Sequence, residues 1–387
     1  MKVAVLPLGF EKNYGAILQT IALQNTLKHY GYDVDVIWFK SAEKNGRLRK
    51  LLAFFSLYGS LKDIKEYIND LFRQLIFHKA QPVSDEILER RLLFSQKNVN
   101  STKKVNERTI GQIVPNYDAI VVGSDQIWTG LNKRQLPFLF DWEPEFAGLR
   151  ISYAACSRFS VIPFFNRKKA KQCFLKFHAI SVRDDTTYNL VYNSSGLKPQ
   201  IVVDPVLLYD FDEFITSPPN NEQYIFVYII GDKIKGKGGH NAVISRIRKK
   251  YGALKTIAAV LPENSCDAAD FADKVIYDAS PAEWLNLLYH AAFVYTDSFH
   301  GCVFSLKFKK EFIGYYSYSS RSTRLKSLSE QYNLDKHIVS SVRDILNKES
   351  IEDKIDYDSI HLSINKNKEE SLQFLLGSLS ETGIQRG

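Results

Sequence analysis

The sequence predicts an α/β protein made of two doubly wound domains that face each other across a cleft. Its 387 residues exceed the size at which a single hydrophobic core usually stops growing, which favours two domains. In both halves, short apolar runs of strand length alternate with longer helical patterns, as in parallel sheets covered by helices. A stretch rich in Ser, Pro and Asn near residues 211–222 separates the halves and is the predicted linker.

The first domain, predicted at residues 1–212, opens with a strand, a loop, a helix and a second strand. Val3–Leu8 is an apolar run of strand length, Ala16–Tyr30 has apolar positions near helical spacing, and Val34–Phe39 is the second strand. This order is the usual opening of a Rossmann-like sheet with right-handed crossovers. The helix N-terminus favours an anion, although the glycines of the loop do not match the GxGxxG dinucleotide fingerprint.

Three further strands of the first domain end in polar side chains. They are predicted at Tyr117–Val122, Arg150–Ala155 and Ala179–Val182, and the segments GSDQIW, CSR and RDD follow them in that order. Ligands of open α/β sheets bind outside the carboxyl ends of the strands, so we expect a site at this edge. The Asp-Pro pair in VVDPVLLY predicts a turn soon after the last of these strands.

Residues 41–110 interrupt the alternation with a helical basic insertion. The run RLRKLLAFFSLYGSLKDIKEYINDLFRQLIFHKA mixes Lys and Arg with apolar residues at helical spacing, which predicts two amphipathic helices. Helices of this kind can bind anionic membrane surfaces, and packing against their own domain or a protein partner is the commoner alternative. Both roles stay open at this point.

The second domain, predicted at residues 222–345, starts the alternation afresh. Its predicted strands are Tyr224–Ile230, Lys255–Val260, Lys274–Tyr277, Phe293–Tyr295 and Glu311–Tyr315, and its predicted helices include Asn241–Tyr251 and Pro281–Ala292. The Gly- and Lys-rich loop GDKIKGKGGH is either a phosphate cradle or a solvated loop. Residues 346–387 are charged and helical and form a predicted tail with a frayed end.

Composition narrows the classes of protein to consider. Lys and Arg number 51 against 43 Asp and Glu, and this excess suits phosphates, acidic sugars, nucleic acid or anionic lipid as partners without choosing among them. The four cysteines are scattered without a CxxC pair, so neither a metal site nor a disulfide framework is expected, and the compartment is expected to be reducing. The sequence shows no signal peptide, membrane-spanning run or nucleic-acid-binding module. We therefore expect a cytoplasmic or peripheral protein that binds no nucleic acid.

The polar cluster TDSFHG, residues 296–301, is the strongest candidate site. It follows a predicted strand and precedes another apolar run. Asp297 and Ser298 are typical helix-capping residues, so capping and substrate binding both stay open for them. His300 is different because caps do not need an imidazole, whose pKa near 6.5 suits proton transfer near neutrality.

Six motifs occur in order between about residue 10 and about residue 330. They are NYGAILQTIALQNTLKHYGYDV, VVGSDQIW, ISYAA, SVRD, VVDPVLL and TDSFHGCVFSLKFKKEFI. Together they resemble the polysaccharide pyruvyl transferase family. The resemblance implies a two-domain fold similar to GT-B glycosyltransferases. It also implies transfer of a pyruvyl group from phosphoenolpyruvate to paired hydroxyls of a sugar, giving a cyclic ketal, with no cofactor besides the donor.

The chemistry of ketal formation assigns three catalytic roles. His300 is the predicted general acid that protonates C3 of the enol. Arg183 is the predicted anion clamp, since its planar fork can bind a carboxylate or phosphate with two parallel hydrogen bonds; an ion pair with a neighbouring carboxylate is the alternative. Asp125 is a candidate base for the hydroxyl proton, and a helix-capping role is equally open for it.

The same resemblance nominates residues that bind the substrates. Asn13, Tyr14 and Gly15 match the opening motif and would place backbone amides near the donor phosphate, although Gly15 could simply permit a tight turn. Ser124 and Gln126 match the middle motif and would orient the acceptor hydroxyls.

Further nominated positions lie later in the chain. Asp297 is a candidate to orient the imidazole of His300, and Ser298 is nominated beside it. Arg324 resembles a family position that assists in anion binding. Trp128 is either a stacking platform for a sugar or, more commonly for this residue type, part of the core.

The chain departs from the family where YAA is followed by Cys156, Ser157, Arg158 and Phe159, since the usual Gly is absent, which leaves the fit of the acceptor open. The acceptor itself, free or carried on a lipid diphosphate at the inner face of the membrane, is also open. Two other functions remain as alternatives: a nucleotide-sugar glycosyltransferase with the same fold, and a non-catalytic carbohydrate-binding or scaffold subunit of polysaccharide assembly.

Overall fold

Two parallel sheets organise the chain. The computed structural model describes residues 1–10, 13–42, 84–131, 134–218, 222–231, 239–261, 268–316, 319–347, 351 and 353–380. Within these residues the strands form two six-stranded sheets, and all the strand pairs are parallel. The predicted α/β class with two Rossmann-like domains is confirmed.

The first sheet has the strand order β2-β1-β3-β4-β5-β6. Its strands are β1 Lys2–Leu6, β2 Asp33–Val36, β3 Ala119–Val122, β4 Leu149–Ala155, β5 Ala179–Val182 and β6 Gln200–Ile201. Its helices are α1 Tyr14–His29, α2 Asp85–Asn98, α3 Arg167–Phe174 and α4 Asp185–Ser195. The order reverses between β1 and β3, which opens a crevice at their carboxyl ends.

The second sheet has the order β12-β11-β10-β7-β8-β9, which is the usual doubly wound arrangement. Its strands are β7 Tyr224–Tyr228, β8 Lys255–Ala259, β9 Lys274–Ile276, β10 Phe293–Thr296, β11 Phe312–Tyr315 and β12 Ile338–Val339. Its helices are α5 Gly239–Tyr251, α6 Pro281–Tyr289, α7 Phe299–Lys307, α8 Ser319–Tyr332 and α9 Val342–Asn347, followed by α10 Tyr357–Leu379. Here the order reverses between β7 and β10.

The central strands are buried along their whole length because helices cover both faces of each sheet. All four residues of β3, AIVV, are buried, and so are the four residues of β10, FVYT. These strands form rigid supports for the polar residues that follow them.

The two domains share one hydrophobic core. The ring of Tyr14 stacks on Trp284 with the ring centroids 5.6 Å apart, which joins α1 to α6. The last helix, α10, packs against the first domain, where Ser371 Oγ accepts a hydrogen bond from the backbone N of Val203 at 3.0 Å. Leu375 of the same helix is fully buried in this core. These contacts hold the carboxyl edges of the two sheets against each other.

Several predicted segments fall partly outside the described residues. Of the basic insertion, residues 43–83 are outside, and the remainder contains α2, whose Ser95 Oγ donates to Phe10 O at 3.0 Å. Of the loop GDKIKGKGGH, residues 232–238 are outside, as are residues 381–387 of the tail. Among the helices that are described, none is long and apolar enough to cross a bilayer.

Candidate active site

Charged side chains from both domains meet where the carboxyl edges of the two sheets face each other. Asp125 follows β3, Arg183 follows β5, and His300 lies in the first turn of α7, just after β10. Asp204 lies just after β6, and Arg324 comes from α8. The expectation that strand ends from both halves converge on one site is therefore met.

Arg183 is the centre of this cluster. Its side chain is buried, with Nη1 donating to Asp204 Oδ2 at 2.5 Å and Nη2 donating to Asp125 Oδ1 at 3.1 Å. The guanidinium carbon lies 4.3 Å from the centroid of the Phe299 ring. This cation–π contact from the second domain stabilises the positive charge of Arg183. The ion pair that the sequence left open for Arg183 is thus present.

Asp125 binds two guanidinium groups through a single oxygen. Besides Arg183, Arg324 Nη1 donates to Asp125 Oδ1 at 2.8 Å across the domain boundary. Burial alone would raise the pKa of Asp125, but Arg324 and Arg183 outweigh it and hold that pKa well below its usual range. Such a carboxylate is a poor base, which argues against the proton-accepting role predicted for it.

The backbone at Asp125 is also unusual. Its φ of +69° lies in the left-handed region, and the residue forms a bridge with Ala155 instead of starting a helix. The helix-capping alternative for Asp125 is therefore wrong. A non-glycine residue in this region costs about 1–3 kcal/mol and is commonly found at functional sites, because the surrounding structure must hold it there.

His300 is buried against the first domain. Its Nε2 lies 3.3 Å from Gln19 Oε1 and 3.8 Å from Asp204 Oδ2. Burial lowers the pKa of His300 below its ordinary value; Asp204 and Asp125 oppose this effect, and Arg183 and Arg324 add to it. These surroundings therefore favour a neutral imidazole at pH 7.

Gly15 is required by the position of this imidazole. A Cβ at Gly15 would lie 2.3 Å from both Cγ and Nδ1 of His300. No real Cβ atom packs that closely, so the glycine lets α1 approach the ring. The structural role that the sequence left open for Gly15 is thus a close approach between domains rather than a tight turn alone.

Gly15→Ala is expected to displace His300 and so lower turnover, and to destabilise the fold by about 1–3 kcal/mol, the usual cost of forcing a methyl group into a packed site. Initial rates and melting temperatures of the variant would check this. Gly377→Ala is the matched control, since a Cβ at Gly377 meets no atom within 4 Å. A Gly15→Ala protein with normal turnover would show that the ring position does not matter.

Asp297 and Ser298 have structural roles. Ser298 caps α7 by accepting a hydrogen bond from the backbone N of Gly301 at 3.3 Å. Asp297 accepts hydrogen bonds from the backbone N of Ile230 at 2.6 Å and of Gly231 at 2.7 Å, which ties the end of β10 to the end of β7. The prediction that Asp297 orients His300 is corrected: the carboxylate that faces the ring is Asp204.

The opening motif builds the start of α1. Asn13 is the N-cap, and its Oδ1 accepts from the backbone N of Gly15 at 2.9 Å, so that amide is already used. Tyr14 is fully buried between the domains, against Trp284 and Tyr228. The structure places Tyr14 in the shared core rather than at a surface that a substrate could reach.

The middle motif joins neighbouring loops. Ser124 Oγ donates to Ala154 O at 3.1 Å, and Gln126 Oε1 accepts from Arg158 Nε at 3.2 Å. Trp128 is fully buried, and its indole N–H donates to Phe138 O at 3.0 Å. Trp128 is therefore a core residue, and the stacking-platform alternative is wrong.

Where the chain departs from the family motif, directly after YAA, the side chain of Cys156 is a buried thiol. Cys156 Sγ donates a hydrogen bond to Asp184 Oδ2 at 2.8 Å, directly after β4. Burial and then the Asp184 carboxylate raise the pKa of this thiol well above its usual range. Cys156 is consequently an unreactive neutral group that supports the loop beside Arg183.

Two site residues were not nominated from the sequence. Asp204 was treated only as part of an Asp-Pro turn, and it does accept from the backbone N of Val206 at 3.1 Å within that turn. Gln19 lies within the opening motif, inside the predicted helix Ala16–Tyr30. The signal in the sequence is a polar residue inside an otherwise apolar segment. In the structure both side chains are buried, with Gln19 2% and Asp204 3% exposed, and buried polar groups need partners.

A small cavity adjoins the charged cluster. Arg183, Asp204, Phe299, Arg324 and Tyr332 contribute to its wall, and its volume is about 20 Å³, room for about one water molecule. The Nε atoms of both Arg183 and Arg324 are buried and have no hydrogen-bond partner among the residues described. No group of three or more His, Cys, Asp or Glu in the described part of the chain is placed to hold a metal ion.

Two facing Rossmann-like domains with charged groups between them define a protein of the GT-B-like class. Solved structures with this fold include S. aureus MnaA with UDP, 12% identical, covering 98% of both chains at a TM-score of 0.53. Arabidopsis thaliana UGT89C1 with UDP-L-rhamnose is 11% identical, covering 97% of this chain and 98% of that one at a TM-score of 0.51. Such low identities show the fold alone.

The family follows from the sequence. The model of the polysaccharide pyruvyl transferase family matches residues 13–320, and this chain belongs to that family. It is therefore a transferase of polysaccharide biosynthesis. No curated protein matches the sequence significantly.

Proposed function

We propose that this protein transfers the pyruvyl group of phosphoenolpyruvate to paired hydroxyls of a sugar, in a surface polysaccharide or its lipid-linked precursor, and needs no cofactor besides the donor. The observation that carries the proposal is the pair of guanidinium groups of Arg183, which is buried, and of Arg324, which is partly buried. Each keeps a buried Nε without an acceptor among the described residues, which costs about 1–3 kcal/mol per donor. An anionic donor with a carboxylate and a phosphate would satisfy both groups.

The site must open to admit this donor. The adjoining cavity of about 20 Å³ is far smaller than phosphoenolpyruvate. Asp125 bridges Arg183 and Arg324 from opposite domains, so separating the domains by a few ångströms would break the Arg324 contact and free its guanidinium. In this proposal Arg183 holds the donor on the first domain, and Arg324 joins it as the domains close.

His300 supplies the proton for the first chemical step. It gives a proton to C3 of the enol, and C2 gains positive charge and is attacked by the first sugar hydroxyl. The second hydroxyl then replaces the phosphate at C2 and closes the ketal. One hydroxyl proton restores His300, and the other leaves with the phosphate, so atoms and charge balance.

The local charges favour this step only when the donor is bound. Burial lowers the pKa of His300, whereas the negative charges of a bound donor would raise it. Donor binding would thus protonate the acid that the reaction requires.

This coupling predicts a particular pH dependence. We expect kcat/KM to fall as pH rises through the lowered pKa of His300, because the free enzyme loses the protonated imidazole there. The kcat profile should fall at a higher pH, because the bound donor raises that pKa. Rates across pH for the wild type and for His300→Asn, which should lack this limb, would check the assignment. A kcat/KM that rises over the same range would make His300 a base instead.

Incubation with phosphoenolpyruvate and a panel of free and lipid-linked sugars tests the function itself. Release of phosphate together with a product heavier by one pyruvyl ketal would support the proposal. Thermal-shift measurements with phosphoenolpyruvate and with UDP-sugars separate it from a glycosyltransferase function. Stabilisation by a UDP-sugar and none by phosphoenolpyruvate would overturn it.

A further inference from the structure

A surface of the first domain combines exposed apolar and basic side chains. We define this surface, the α3 face, by Val161, Phe164, Lys168, Lys171 and Leu175. The three apolar residues are 38%, 58% and 55% exposed in that order, and both lysines are exposed. Single exposed apolar residues are ordinary, but a group of them beside unneutralised charge is typical of a binding surface.

The periodicity of α3 places its members of this group together. Lys168, Lys171 and Leu175 are spaced by three and four residues and therefore share one side of the helix. Ala170 and Phe174 occupy the opposite side and are buried in the core of the first domain. Phe164 belongs to the 3₁₀ turn Phe164–Asn166 that leads directly into α3.

The charge of this region is positive and largely uncompensated. Residues 146–183 contain eight Lys and Arg and no Asp or Glu. Neighbouring cations are paired, since Lys169 binds Asp141 at 2.7 Å and Lys176 binds Glu145 at 2.9 Å. Lys168 and Lys171 form no ion pair with any carboxylate in the described part of the protein. The two lysines on the exposed side of α3 thus keep their full charge for a partner.

The α3 face begins at the same edge of the sheet as the candidate active site. The chain reaches it from the carboxyl end of β4, past Arg158, whose Nε binds Gln126 next to Asp125. A helix that connects parallel strands runs antiparallel to them, so the first turn of α3 lies at the carboxyl edge. A partner on this face would therefore lie close to the opening between the domains.

We propose that the α3 face docks the protein on an anionic lipid bilayer. Phe164, Val161 and Leu175 would enter the boundary between headgroups and acyl chains, while Lys168 and Lys171 bind acidic headgroups. A soluble acidic polysaccharide would use the lysines but not the exposed apolar side chains, whereas a bilayer uses both. The inference stands on the exposure and charge of α3 and does not depend on the donor proposed above.

Sedimentation of the full chain with vesicles tests this proposal. We expect binding to vesicles of phosphatidylglycerol and phosphatidylcholine and little binding to phosphatidylcholine alone. The pair Lys168→Glu and Lys171→Glu should lower the partition coefficient about tenfold or more. The pair Phe164→Ser and Leu175→Ser should lower it as well, with the melting temperature unchanged.

The control applies the same types of substitution, Lys→Glu and Leu→Ser, to exposed residues outside the α3 face. Lys249→Glu and Leu362→Ser replace exposed residues of α5 and α10 and should leave vesicle binding unchanged. Vesicle binding that survives both α3 pairs, or that falls equally in the control, would overturn the proposal. So would vesicle binding that depends on the lysines alone, because that result indicates an electrostatic contact without insertion of the apolar side chains.

Discussion

His300→Ala is expected to lower pyruvyl transfer by about 10²–10⁴-fold, the usual contribution of a general acid. The imidazole is held by Gly15 on one side and approached by Gln19 Oε1 and Asp204 Oδ2 at Nε2, so a methyl group at this position can neither give a proton nor keep the arrangement. Phosphate release at saturating phosphoenolpyruvate measures the effect on kcat.

His337→Ala is the matched control for this experiment. His337 is as buried as His300, at 6% exposure, but lies between α8 and β12, outside the charged cluster. We expect the His337 variant to retain turnover, although truncation of a buried side chain reduces its stability. Normal turnover of a folded His300→Ala protein, established by circular dichroism and melting, would exclude the acid role.

Arg183→Ala is expected both to raise the KM for phosphoenolpyruvate and to destabilise the fold. Removing one partner of a buried ion pair costs about 3–5 kcal/mol, because Asp204 would be left buried without its guanidinium. Asp125 would keep Arg324. Denaturant unfolding and steady-state kinetics would measure the two effects separately.

Two companion variants separate stability from donor binding. Arg183→Lys restores the charge without the planar fork, so we expect better stability than in Arg183→Ala but a raised KM. In Arg183→Met with Asp204→Asn both charges are removed, which should recover much of the stability while donor binding stays weak. If this double variant binds phosphoenolpyruvate like the wild type, Arg183 does not clamp the donor.

The pKa of His300 depends on Arg183, so the predictions for the His300 and Arg183 variants are linked. The guanidinium groups of Arg183 and Arg324, which we propose bind the donor, also help to lower the pKa of His300, since two cations disfavour a third. A bound dianion reverses this effect. Loss of Arg183 would therefore change the pH at which kcat/KM falls as well as the KM.

The sequence predicted the elements more completely than the site. The pattern of apolar runs predicted β1 to β5 and β7 to β11, and the parallel direction of these strands places the polar residues that follow them at the carboxyl edges. Ser298 was nominated as a cap from its residue type and is one. These features depend on residues a few positions apart, so local sequence carries the signal.

The site depends on contacts that no local pattern contains. His300 and Gln19 are 281 positions apart, Arg324 and Asp125 are 199 apart, and Arg183 and Asp125 are 58 apart. For this reason the sequence indicates Asp297, three positions before His300, as the partner of the imidazole, whereas in the structure the Asp297 carboxylate is bound to the end of β7.

The sequence by itself determined the class of fold, the family, and the residue types that the chemistry needs. Only the tertiary structure decided which of those residues meet: Asp125 as a bridge between two arginines, Tyr14 and Trp128 as core, and Gln19 and Asp204 as neighbours of His300. The physical reason is that strand and helix formation is governed by local periodicity and caps, whereas the charge and pKa of a site are set by burial and by partners brought together by packing.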